Sequence, residues 1–174
     1  MPPHCDSLDG PVVAAARQAL DAGEPEPVLP FVPATGETEV RAAFEQARAV
    51  RAQSPQAREL ADRWFYENVV RIHRAGEGAP YTGLKPAGLD VGPVIPLAER
   101  AIESGSADEL TELLAGLVAE EVERRLARVL DLQREADGDL ATRRRYVEAM
   151  LGLQVWAHHL YAAARSDPHE HGHG

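Results

Sequence analysis

Apolar residues recur along most of this chain at intervals of three and four, the spacing typical of amphipathic helices. Six such segments are separated by stretches rich in glycine or proline, residues that end helices. The pattern predicts helices that begin near Pro11, Glu37, Pro55, Pro93, Ser106 and Leu140. We therefore expect an all-α protein.

The sixth predicted helix has an unusual pattern. After Val147 it is apolar most of the way round, which is typical of a helix in a protein interior. It also carries His158 and His159, and a neutral imidazole in an apolar interior needs hydrogen-bonding partners. We therefore expect this helix to be buried, with its histidines held by other polar groups.

The two halves of the chain resemble each other when the sequence is shifted by 82 positions. Pro11 then aligns with Pro93 and Gly23 with Gly105, while the apolar residues keep the same helical phase. The alternative is a chance match between two alanine-rich helical segments. A duplication predicts one helical bundle over residues 1–166, built from two three-helix units at about 4–81 and 83–164 with pseudo-twofold symmetry. Residues 167–174 are expected to form a flexible, histidine-rich tail.

Composition and charge narrow the function classes. The 174 residues carry a net charge of -10 at pH 7, which argues against a nucleic-acid partner. A single cysteine excludes an internal disulfide framework. The first residues lack the pattern of a signal peptide, and no apolar run approaches the ~20 residues of a membrane span. These features predict a cytoplasmic protein without a membrane partner.

The N-terminal arm contains the first candidate metal ligands, His4, Cys5 and Asp6. Imidazole, thiolate and carboxylate are the ligand types preferred by zinc and the later first-row metals. Three adjacent residues do not easily fill one coordination sphere, so a distant histidine would complete it. The alternative is a terminus with an incidental thiol.

Helix-borne residues supply the remaining metal candidates. His73 and His158 each lie toward the C-terminal end of the third helix of their predicted repeat. Glu121 interrupts an apolar stripe four residues before Arg125, which favours a salt bridge and leaves an interior carboxylate ligand as the alternative. Hydrogen-bonded polar residues of the core are the alternative interpretation of the two histidines.

A loop rich in glycine and proline, residues 76–92, separates the two predicted repeats. It carries Tyr81, Thr82 and Lys85, the only lysine in the chain. Polar groups on a loop held by a rigid scaffold are typical of binding sites, so these residues could contact a small anionic ligand. Anchoring of the loop is the other role open to Lys85. In the tail, the alternating residues His169, His171 and His173 have a spacing that can capture a metal ion.

Two stretches carry a resemblance to a known family. Residues 4–11, His-Cys-Asp-Ser-Leu-Asp-Gly-Pro, and residues 76–88, Gly-Glu-Gly-Ala-Pro-Tyr-Thr-Gly-Leu-Lys-Pro-Ala-Gly, resemble an uncharacterised bacterial helical family classed as a domain of unknown function. The resemblance covers nearly the whole chain apart from the tail. It implies no activity.

The arm is also similar to the mature start of nickel superoxide dismutase, a helical-bundle enzyme that begins His-Cys-Asp. His4, Cys5 and Asp6 match that start, but this chain lacks the second cysteine found nearby in the enzyme, and Met-Pro-Pro precedes the motif. The likeness therefore implies a metal, but not the nickel redox site in that form.

These patterns support two functions. The first is a metal-binding helical-bundle protein, whose arm meets His73 and His158 around zinc, nickel, copper or iron. Such a site allows a redox or hydrolytic metalloenzyme. The alternative is a non-catalytic module that binds a small molecule or a protein through the central loop. The sequence leaves open whether the protein is an enzyme, and also its oligomeric state.

Overall fold

A computed structural model of the chain describes residues 3–166. Within that range the protein is all-α, which confirms the predicted fold class. Short 3-10 helices occupy Pro3–Asp6, Glu26–Phe31 and Ala34–Gly36. The α-helices are α1 (Pro11–Ala22), α2 (Glu37–Arg51), α3 (Pro55–Gly76), α4 (Val94–Ser104), α5 (Asp108–Arg134) and α6 (Leu140–Arg165). No helix in this range combines the length and apolarity needed to cross a bilayer.

The chain divides into two compact units, Met1–Gly92 and Pro93–Gly174. The first contains α1 to α3, the N-terminal arm and the central loop. The second contains α4 to α6. The boundary lies at the end of the Gly/Pro-rich loop, where the residues before Pro93 form no helix.

Unit 1 has a closed hydrophobic core formed where α1 and α2 pack on α3. Phe44 and Phe65 lie at its centre with their ring centroids 5.9 Å apart in an edge-to-face arrangement, which aromatic pairs prefer. The 3-10 helix Glu26–Phe31 covers this core with Val28, as its apolar sequence predicts. The residues buried in this hydrophobic core are Val12, Val13, Ala15, Ala16, Ala19, Leu20, Val28, Val40, Ala43, Phe44, Ala47, Ala61, Phe65, Tyr66, Val69, Val70 and Ile72.

The start of α3 follows its sequence signals. Ser54 accepts a hydrogen bond from the backbone N–H of Ala57 at 3.1 Å, and Pro55 occupies the first turn, where its missing N–H costs nothing. The apolar stripe of α3 predicts that Trp64 points inward, but Trp64 is exposed. It lies beside the buried row and lines a shallow apolar groove of about 260 Å³ with Val50 and Leu60.

Unit 2 has almost no buried core. Among its described residues, Val129 is the only hydrophobic residue that is buried, and it is still 8% exposed. α5 and α6 pack on each other along their length, and α4 packs on α5. The prediction that α6 lies in the interior is wrong, because none of its residues is buried and both His158 and His159 are exposed.

Candidate functional site

The N-terminal arm and the central loop are joined by backbone hydrogen bonds. The N–H of Lys85 donates to the carbonyl of Asp6 at 2.8 Å, and the N–H of Leu8 donates to the carbonyl of Lys85 at 3.1 Å. The carboxylate of Asp9 accepts from the N–H of Gly88 at 2.7 Å. Residues 4–9 and 85–88 therefore form one structure, which we call the arm–loop junction. Its hydrogen bonds satisfy backbone groups that neither segment satisfies alone.

A buried ion pair ties this junction to the C-terminal end of α3. Asp6 Oδ1 accepts from Arg74 Nε at 2.6 Å, and both side chains are only 5% exposed. Arg74 Nη1 also donates to Glu77 Oε2 at 3.0 Å. Burial of each charge is costly unless its partner is present, so the three residues depend on one another. Asp6, predicted as a metal ligand, thus pairs with an arginine.

His73 lies beside this ion pair with its ring orientation set by the backbone. Its Nδ1 donates to the carbonyl of Phe31 at 2.7 Å, so Nδ1 carries a proton. Its Nε2 lies 3.2 Å from Glu77 Oε1 but makes no well-aligned hydrogen bond. In the neutral imidazole this nitrogen holds the lone pair. The side chains of His73 and Glu77 are 14% and 18% exposed, so the pair is largely shielded from water.

Cys5 and His4 lie at the same end of unit 1. Cys5 Sγ is 3.7 Å from His4 Nε2, and the thiol packs against the core. Burial raises the pKa of Cys5 above its ordinary value of 9.0, and the charge of Glu77 raises it further, while Arg74 lowers it. The thiol is therefore protonated at neutral pH. His4 Nδ1 is buried and has no hydrogen-bond partner among the described residues.

The central-loop candidates have two different environments. Lys85 Nζ donates to the carbonyl of Thr82 at 3.0 Å, so the lysine closes its own loop. The hydroxyl of Tyr81 is buried without a well-aligned hydrogen bond in the described range. Burial is the largest cause of the raised pKa of Tyr81, followed by the charge of Glu67. A hydrogen bond with the backbone of Leu84 partly offsets this increase in pKa.

The remaining candidates lie in unit 2 or outside the described range. Glu121 is bound by Arg124 at 2.7 Å and by Arg125 at 3.1 Å, which confirms the salt-bridge interpretation. Arg125 also stacks over the ring of Trp156, 4.6 Å from its centroid. His158 is exposed on α6. The tail residues His169, His171 and His173 fall outside the described residues.

The predicted metal ligands do not form a coordination cluster in residues 3–166. No group of three or more histidine, cysteine, aspartate or glutamate side chains in this range could hold a metal ion as placed. His4, Cys5, Asp6 and His73 lie in unit 1, whereas Glu121 and His158 lie in unit 2. What the fold does assemble is the arm, the loop and the end of α3.

The sequence patterns did not single out Arg74, which pairs with both Asp6 and Glu77 in this region. A signal for Arg74 was present, because it continues the buried row of Tyr66 and Val70 at four-residue spacing. An arginine in such a row requires a buried anion. The sequence does not show that Asp6, 68 residues away, is that anion.

The structure thus defines an all-α protein in which an N-terminal arm is tied to a central loop and a helix end. The chain matches the family of unknown function DUF6448 over residues 9–156, and it belongs to that family. No curated protein and no solved structure matches the chain.

Proposed function

We propose that the protein binds a divalent transition metal where the N-terminal arm meets the C-terminal end of α3. His73 and Glu77 supply the imidazole and the carboxylate. Because the four side chains do not form a cluster as placed, a shift of the N-terminal arm would have to add the thiolate of Cys5 and the imidazole of His4. These are the ligand types that zinc, nickel, copper and iron accept. A site with one open coordination position would allow redox or hydrolytic chemistry.

The orientation of His73 carries this proposal. Metal-binding histidines commonly donate one ring N–H to a carbonyl, which directs the other nitrogen at the metal. The Nδ1–H of His73 bonds to the carbonyl of Phe31 in this way. Its Nε2 lies 3.2 Å from Glu77 Oε1. Two ligands of a tetrahedral metal with bonds of about 2 Å are about 3.3 Å apart, so this spacing suits a shared ion.

The charges around His73 also favour a cation. Asp6 and Glu77 contribute two negative charges against the single positive charge of Arg74. Arg74 binds Glu77 through Oε2, which leaves Oε1 facing the imidazole. In this proposal Asp6 positions Arg74 and is not a ligand. The proposed ligand set leaves out Glu121, which is bound by two arginines, and His158, which is exposed on α6.

Cys5 makes metal binding dependent on pH. A thiolate is the form that binds metal, and the pKa of Cys5 is raised above 9.0. Metal binding must therefore displace a proton, and the affinity should increase as the pH increases toward that value. A site formed only by nitrogen and oxygen ligands would lack this increase in affinity, because no thiol proton has to be displaced.

Elemental analysis of the untagged, full-length chain tests the proposal. The tail residues His169, His171 and His173 are replaced by alanine, so that any metal they capture is removed. We expect one metal ion per chain in this parent, and its loss in His73→Ala and Cys5→Ala. His158→Ala is the matched control and should keep its metal. A metal-free parent, or full occupancy in His73→Ala, would overturn the proposal.

The second candidate function is a non-catalytic module that binds a small anionic ligand at the central loop. The buried hydroxyl of Tyr81 favours it, because this group makes no well-aligned hydrogen bond in the described range and such groups are commonly satisfied by a ligand or by water. Lys85 would then leave the Thr82 carbonyl to contact the anion. A metal-free protein that is stabilised against heat by an anion, with Tyr81→Phe abolishing the effect, would favour this function.

A further inference from the structure

The second unit presents a continuous apolar surface on one side of its long helices. Val122, Leu126 and Leu130 follow one another at four-residue steps on α5 and are about two-fifths exposed. On α6, Val147, Leu151 and Val155 follow the same spacing and are 44% to 51% exposed. We call these six residues the α5–α6 outer face.

Helix geometry puts both rows on the same side. On α5, Val122 and Leu126 each come one residue after the inward-facing pair Glu121 and Arg125. On α6, Val147 similarly comes one residue after the partly buried Tyr146. One residue rotates the side-chain direction by about 100°. Because α5 and α6 are joined by a short turn and run antiparallel, the two rotations lead to the same side of the hairpin.

This face corresponds to the core of unit 1 in the 82-residue register. Val40, Phe44, Phe65 and Val69 are each at most 1% exposed. Their counterparts are four members of the outer face, Val122, Leu126, Val147 and Leu151, and these are 39% to 48% exposed. The sequence thus keeps core-forming residues at positions that the described part of unit 2 leaves uncovered. Contiguous apolar surfaces of this kind mark interaction sites.

We propose that the partner of the α5–α6 outer face is the same face of a second copy of the chain. The two hairpins would form a four-helix bundle around a twofold axis. α5 has 27 residues and α6 has 26, so the hairpin has two equal sides and is complementary to a copy of itself in length. The apolar rows of both outer faces would then form the core of the four-helix bundle.

The available area is that of a stable dimer. Helices of this length are about 40 Å long, and two packed helices are about 20 Å wide. The whole side of the hairpin that carries the outer face therefore measures about 800 Å², which is the standard size for one side of a specific interface.

The test is the mass of the full-length chain in solution, measured by analytical ultracentrifugation over a range of concentrations. We expect a species of twice 18.9 kDa that dissociates on dilution. Leu126→Glu and Leu151→Glu place charges in the interface and should give monomers. Leu60→Glu is the matched control, since Leu60 is an exposed leucine of unit 1 and its substitution should leave the dimer intact.

Each outcome decides the proposal. A wild-type chain that is monomeric at every concentration overturns it, as does a dimer that survives both glutamate substitutions or is lost in Leu60→Glu. If a glutamate variant loses its helical circular dichroism signal, Leu126→Ala replaces it. That variant should weaken the dimer about tenfold or more while the helices remain, since it removes buried apolar contacts worth at least about 1.4 kcal/mol.

Discussion

The two units of this protein contain apolar residues 82 positions apart in the sequence but bury them differently. Phe44 and Phe65 are in edge-to-face contact inside unit 1. At the corresponding positions 82 residues later, Leu126 and Val147 are exposed. A similar pattern of apolar residues therefore leads to a closed core in one unit and an open face in the other.

The connection between the first two helices of each unit explains this difference. α1 and α2 are separated by residues 23–36, which include two 3-10 helices and allow α1 to reach α3. α4 and α5 are separated only by residues 105–107, and α4 packs on α5. A short connection keeps sequential helices adjacent, so α4 cannot cover the outer face in the way that α1 covers the core. Loop length, and not apolar pattern, decides which helix completes the core.

The largest expected contrast between the units is in the core itself. Phe65→Ala should lower the free energy of unfolding of unit 1 by about 3–5 kcal/mol, because it leaves a cavity beside Phe44. Val147→Ala at the corresponding position should act only through the dimer. Chemical denaturation at two protein concentrations distinguishes them, since only the Val147 effect should decrease on dilution. Equal, concentration-independent losses would show that both positions are buried within one chain.

Charged pairs should show a second contrast. Asp6→Asn leaves Arg74 without its closest buried anion. The substitution should lower the free energy of unfolding by about 3–5 kcal/mol, as measured by chemical denaturation. Glu121→Gln breaks a pair that water already screens, so its effect should be near the error of the measurement. An Asp6→Asn variant as stable as the wild type would mean that the ion pair does not hold the arm in place.

Substitutions at the helix ends should have equal effects on stability in the two units. Gly23 and Gly105 end α1 and α4 in the left-handed conformation, with φ of 80° and 72°. A Cβ at either position meets no atom within 4 Å, so strain is the only cost. Gly23→Ala and Gly105→Ala should each lower the free energy of unfolding by about 1 kcal/mol, as measured by thermal unfolding. A markedly larger effect at one site would indicate that its helix end has tertiary contacts that the other lacks.

In the metal-free protein, alkaline pH should weaken unit 1 selectively. Burial raises the pKa of Cys5, so folding favours the neutral thiol. The resulting stability is fully present below pH 9.0 and is lost as the pH increases through the raised pKa. Burial also raises the pKa of Tyr66 and Tyr81 above the ordinary tyrosine value of 10.0. Their ionisation therefore extends the loss of stability to pH values above 10.0. In Cys5→Ala the loss should begin only where the tyrosines ionise, as measured by the unfolding midpoint against pH. An unchanged profile in that variant would show that the thiol does not contribute.

Helix positions follow from local signals and were predictable. Ser54 and Pro55 begin α3, and Gly23 and Gly105 end α1 and α4, because caps and left-handed termini depend only on neighbouring residues. The candidate site was less predictable. His4, Cys5, Asp6 and His73 stand out by chemical type, but the ion pair of Asp6 with Arg74 joins residues that are far apart in the chain.

The sequence alone therefore determined the all-α class, the six α-helices and the residue types available for a site, since all of these depend on spacing along the chain. The tertiary structure decided which apolar faces are covered and which charges meet. α6 shows why: its apolar pattern requires burial, but not against any particular surface. Whether a face is buried depends on the length of the connections and on what packs across it, which no local pattern contains.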